Sequence, residues 1–239
     1  MEQSKTKGYN SPMVYKVCLE IGYDGRWVFA HVPELPGCFT KEGFREVALE
    51  RLPGVIGNYL SWMIEHGEEI SLSKGVGVEV VEVFNCYTIN GYEVNAFFEA
   101  DHPPLSQKEI EIAIRRMEWS RQDLLSKTSK LPREFLDRKL DIRWTIRENL
   151  EHIATAEWWY LTRLNLLLPH HRDPSIHQET FQKMRILREL AIEKLTHLNG
   201  EERSRITVHS DEKWSARKVL RRFLEHEKEH FHSIHRLLP

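Results

Sequence analysis

The apolar positions of this chain change rhythm near residue 105. Before it, residues 14–21 and 26–32 suit two strands around a turn at Asp24-Gly25. Pro33 to Gly37 forces a loop, and residues 38–40 suit a short third strand. Residues 42–65 have helical composition, although Pro53-Gly54 is expected to kink or break that helix. Residues 77–89 and 92–100 are β-rich and flank Asn90-Gly91, the strongest two-residue hairpin signal. Residues 14–100 are therefore expected to form one sheet. Beyond residue 105 the apolar positions follow four helical stretches, roughly 107–131, 145–168, 175–199 and 215–238. Thr145-x-x-Glu148 is a capping box, and Ser215 is an N-cap at the matching place. The fold class expected is an α+β N-terminal domain followed by an all-α four-helix bundle, since such helix lengths with short loops argue a bundle.

Composition places the join. Eleven of the 12 glycines fall at or before Gly91. Residues 1–105 carry 8 basic against 15 acidic side chains, whereas residues 106–239 carry 26 against 21. His102-Pro103-Pro104-Leu105-Ser106 suits an extended connection that ends in a helix cap, so the domains expected are 1–103 and 104–239. A net charge of -2 over 239 residues excludes an acidic disordered chain and a chain basic throughout. No uninterrupted apolar run reaches membrane-spanning length, and residues 1–13 lack the apolar core of a secretory signal. Cys18, Cys38 and Cys86 have no paired spacing and read as reduced thiols, which gives a cytoplasmic expectation. The basic surplus of the second half is spread through amphipathic helices, so nucleic acid is not an expected partner.

Most of the 13 histidines sit in the second half. The sharpest group is His226-Glu-Lys-Glu-His230, because residues four apart on a helix can aim two imidazoles at one ion. The pattern matches His-Glu-x-x-His of zinc proteases. That reading is set aside: only nine residues follow His230, and Arg236 stands where a third histidine would be. His152, His226 and His230 lie at the rims of their apolar stripes, to the same side. This placement permits a site and equally suits solvated histidines. Four charges, Arg121, Glu157, Arg188 and Glu227, fall at or near stripe centres. They predict a buried Arg–Glu network unless the stripes rotate enough to reach water. A two-metal carboxylate site of the Glu-x-x-His kind is a further option, but Asn149 breaks the motif before His152. Trp144-Thr-x-Arg-x-x-Leu and Trp214-Ser-x-Arg-x-x-Leu form a weak internal repeat, each expected to open a helix.

The run Trp-Thr-x-Arg-x-x-Leu-x-His-Ile-Ala-x-Ala-Glu-Trp-Trp-Tyr from Trp144 to Tyr160, with Trp214-Ser-x-Arg-x-x-Leu and His226-x-x-x-His230 downstream, resembles the DinB-like superfamily. The resemblance covers about residues 106–239. It implies a four-helix bundle in which His152, His226 and His230 bind a divalent metal, zinc or nickel, with His232 and His235 solvated. Some members are thiol S-transferases, so it further implies a small-molecule substrate and a low-molecular-weight thiol. Val32-Pro-Glu-Leu-Pro-Gly-Cys-Phe-Thr40, after a strand pair and before a helix, is similar to the HicB-like antitoxin fold over roughly 14–84. The expected function is metal-dependent small-molecule chemistry, thiol transfer included, with homo-oligomerisation a further expectation. The alternative is a non-catalytic HicB-like antitoxin or protein-interaction module, engaging a basic toxin partner and joined to a structural metal-binding bundle.

Overall fold

The computed structural model describes residues 13–70, 75–141, 143–167 and 173–238. The chain divides into two compact units, residues 1–87 and 88–239. The first is a sheet covered on one face by a helix. Strands β1 (Met13–Ile21), β2 (Val28–His31) and β3 (Phe39–Glu42) form an antiparallel meander, and β4 (Val76–Asn85) returns parallel to β1, giving the order β3-β2-β1-β4. Alternation on β1 turns Tyr15, Val17 and Leu19 toward helix α1 (Arg45–Glu65), which buries Ala48, Leu52, Ile56 and Met63 against them. The Pro33–Gly37 segment closes as expected. The Cys38 amide donates to the Leu35 carbonyl at 2.8 Å, Gly37 takes φ +93°, and the Tyr59 hydroxyl donates to the Pro36 carbonyl at 2.6 Å.

Two expectations need correction here. Helix α1 does not break at Pro53: it is continuous from Arg45 to Glu65, because the flanking Leu52 and Ile56 are fully buried and hold the turn in place. Residues 14–100 do not form one sheet. The β1–β4 ladder ends where Ile21 meets Asn85, with the Cys86 amide donating to the Ile21 carbonyl. The chain then starts a separate hairpin, β5 (Tyr87–Ile89) and β6 (Tyr92–Val94), in which Asn90 and Gly91 both take positive φ. The second compact unit begins at residue 88 and so takes in this hairpin. The Tyr92 hydroxyl donates to Glu212, Lys218 Nζ donates to the Asn95 carbonyl and Arg221 pairs with Asp101, so residues 92–101 are bonded to the helical unit.

The second unit is helical. Its long helices are α2 (Gln107–Thr128), α4 (Ile146–Arg163), α5 (Thr180–Thr196) and α7 (Ala216–His235), with short α3 (Arg133–Leu136) and α6 (Gly200–Ser204) between them. Helix α4 packs on α5 and α7, and α2 packs on α7 and α5. The expected helix starts hold: the Ser106, Thr145 and Ser215 hydroxyls accept from the amides of Glu109, Glu148 and Lys218. A second hairpin, β7 (Ile206–His209) and β8 (Glu212–Ser215), leads into α7 and turns through Ser210 and Asp211, both at positive φ. The helical reading of the sequence did not foresee it. No helix among the described residues is long and apolar enough to cross a membrane.

Candidate metal centre

Two buried apolar clusters fill the helical unit. One contains Met117, Tyr160, Ala191, Trp214 and Phe223; the other contains Leu124, Ile153, Leu187 and Ile234. Each long helix contributes to both, and between its contributions each carries one member of a set of four charges: Arg121, Glu157, Arg188 and Glu227. All four are buried. Arg121 Nη2 reaches Glu157 at 2.8 Å and Glu227 at 2.6 Å, while Arg188 Nε donates to Glu157 at 2.9 Å and its Nη2 to Glu227 at 2.7 Å. Arg121 Nε also donates to Glu227 at 2.8 Å, and the Nη1 nitrogens of Arg121 and Arg188 donate to the Met184 and Met117 carbonyls. Burial by itself would raise the Glu227 pKa, but the Arg121 and Arg188 charges outweigh it and hold the carboxyl below its ordinary range. The network expected from stripe-centre charges is present.

The imidazoles converge on the flank of this layer. His226 and His230 lie one turn apart on α7, and His152 faces them from α4. Nε2 of His152 and Nε2 of His226 are 3.0 Å apart, and the ring of His230 is centred 4.7 Å from His152 and 4.5 Å from His226. Nitrogens of all three lie within 4.8 Å of one another. Among the described residues, this group of metal-capable side chains contains neither Glu157 nor Glu227, whose carboxylates face guanidiniums. His226 is more buried than its rim position suggested, at 8% exposure. Burial lowers the His152 pKa against the opposing pull of Glu229, which favours the neutral, ligand-competent ring. His232 and His235, expected to be solvated, are exposed.

Other neighbours of the group were not singled out from the sequence as part of a site. The Trp144 ring stacks on His230 at 12° between planes and 5.8 Å between centroids, and meets His152 edge-on at 4.7 Å. It is 46% exposed, whereas Trp214, its counterpart in the repeat, is 1% exposed and packs edge-on against Trp159. Tyr160 sets its ring edge-on to His226. The Asn149 side-chain oxygen lies 2.8 Å from His230 Nδ1. A signal for Asn149 was present: it lies three residues before His152 on the same helical face.

Convergent imidazoles beside a buried ionic layer define this unit as a helical domain with a metal-capable histidine group. The DinB superfamily matches residues 116–234, a stretch that encloses His152, His226 and His230, and this stretch is a DinB superfamily domain. The match leaves residues 1–115 outside, and no family match supports the expected HicB-like resemblance there. No curated protein and no solved structure matches the chain.

Proposed function

We propose that His152, His226 and His230 bind one divalent metal, zinc or nickel, and that the helical unit is a four-helix bundle performing metal-dependent chemistry on a small molecule. The observation that carries this reading is the convergence of three imidazoles from two helices, within 4.8 Å, inside a DinB superfamily domain. The residues fit such an ion: imidazole suits both metals, and burial favours the neutral form of His152. When bound, a divalent ion with three protein ligands supplies Lewis acidity and lowers the pKa of a water or thiol in its open position. The chain supplies the rest. His226 and His230 are spaced by one turn of α7, α4 brings His152 opposite, and Trp144 walls the exposed side with an apolar surface for a substrate. Thiol S-transfer with a low-molecular-weight thiol is the reaction class this arrangement serves best in our reading.

The test is metal analysis of the purified protein, followed by zinc and nickel titration. Wild type is expected to take up one ion per chain. His226→Ala should lose most of it, whereas His235→Ala should bind as wild type. Equal binding by all three proteins would defeat the assignment.

For the first unit, the HicB-like reading is supported by where its motif falls. Val32 to Thr40 forms the β2–β3 connection and the first half of β3, directly ahead of α1. On that reading the unit is a protein-interaction module whose acidic balance suits a basic partner.

A further inference from the structure

We infer that Asn149 is a positioning residue that selects the tautomer of His230 and so presents Nε2, and not Nδ1, to the ion; this rests on the metal reading above. A neutral imidazole has one donor and one acceptor nitrogen, and its neighbours decide which is which. Asn149 is 3% exposed, so protein groups fix its amide. Its Nδ2 donates to the Thr145 carbonyl at 2.8 Å and faces the Trp144 carbonyl at 3.5 Å. Flipping the amide would press its oxygen against those carbonyls and turn the NH2 toward His230. The unflipped amide therefore places Oδ1, an obligate acceptor, 2.8 Å from His230 Nδ1. Nδ1 must then carry the proton, and the lone pair belongs to Nε2. His152 and His226 already face each other through Nε2, so the three rings use the same nitrogen.

The anchoring explains why an amide stands where a Glu-x-x-His motif would have a carboxylate. Both carbonyls that hold Asn149 belong to the lead into α4, the N-cap Thr145 and the residue before it, and that start is fixed by the Thr145–Glu148 capping box. The turn that begins α4 thus orients a ligand carried by α7. Trp144 stacks flat on the same ring and resists its rotation. A hydrogen bond to the distal nitrogen of a ligating histidine typically carries a 10–100-fold share of metal affinity.

The experiment reads the tautomer directly, by long-range proton–nitrogen NMR of the metal-free full chain, with the His230 signals assigned by their loss in His230→Gln. Wild-type His230 is expected to be protonated at Nδ1. Asn149→Leu should give a tautomer mixture and weaken zinc binding, measured against a competing chelator, by roughly 10–100-fold. Asn149→Asp keeps the acceptor but sets a second oxygen against the Thr145 carbonyl, so it should retain the wild-type tautomer and lose less zinc affinity than Asn149→Leu. If wild-type His230 is protonated at Nε2, or if Asp and Leu variants lose affinity equally with the tautomer unchanged, the inference is overturned. The wild-type spectrum decides even if Asn149→Leu does not fold. Absence of zinc uptake by wild type would instead overturn the metal reading, leaving the tautomer assignment to stand or fall on the spectrum alone.

Discussion

Glu109 shows how much a single side chain at a helix start can carry. It accepts from Arg217, which lowers its pKa against partial burial, and it closes the capping box with Ser106; together these hold its carboxyl at about 2. Because the folded value lies below the ordinary 4.5, this carboxylate contributes its full stability above about pH 4.5 and loses it as pH falls toward 2. Glu109→Gln is therefore expected to be less stable than wild type near neutrality, with the gap closing across that acid window in denaturant titrations. A gap independent of pH would show that ionisation is not its contribution. At this scale the sequence was most informative about charges. Arg121, Glu157, Arg188 and Glu227 stood out because their spacing put them where apolar residues belong. Asn149 and Trp144 did not stand out as site residues, because what distinguishes them is a ring on another helix.

Helix α1 carries a conflict between local preference and packing. Pro53 lacks the amide that would bond to the Leu49 carbonyl, a defect worth about 3 kcal/mol in a helix interior. The helix nevertheless continues, because Leu52, Ile56 and Leu60 stay buried only if the register is kept. Pro53→Ala should restore the bond and raise the unfolding midpoint of the chain; a lowered midpoint would mean that the proline ring is itself required for packing. The hairpins divide in a similar way. Asn90-Gly91 was legible as a turn, but not which sheet it would join, since ladder partners are chosen by the end of β1 and by Tyr92 reaching Glu212. The β7–β8 pair had only a four-residue strand on each side of Ser210-Asp211, too short for periodicity to register. The Trp144 and Trp214 repeats both open helices, and the caps at Thr145 and Ser215 are alike. Their tryptophans nevertheless diverge, one onto a histidine ring at the surface and one into the core.

Across the molecule, the helical unit is held by an ionic layer set between two apolar clusters. Arg188 joins four helices through that layer: it extends from α5 to Glu157 on α4, Glu227 on α7 and the Met117 carbonyl on α2. Arg188→Met would leave two buried carboxylates facing one guanidinium, with an expected loss of about 3–5 kcal/mol in urea unfolding. A loss below about 1 kcal/mol would mean that these charges reach water. The sequence by itself determined the two-part organisation, the four long helices and the caps of three of them, the order of β1 to β3 and α1, and the charges destined for the interior. Those features follow from periodicity, turn chemistry and capping, which act over a few residues. Tertiary structure alone decided where the units divide, that β5–β6 leaves the main sheet, that α1 survives its proline, and that Asn149 and Trp144 meet His230. Each of those outcomes depends on which partner a residue finds far along the chain, and local spacing carries no record of that choice.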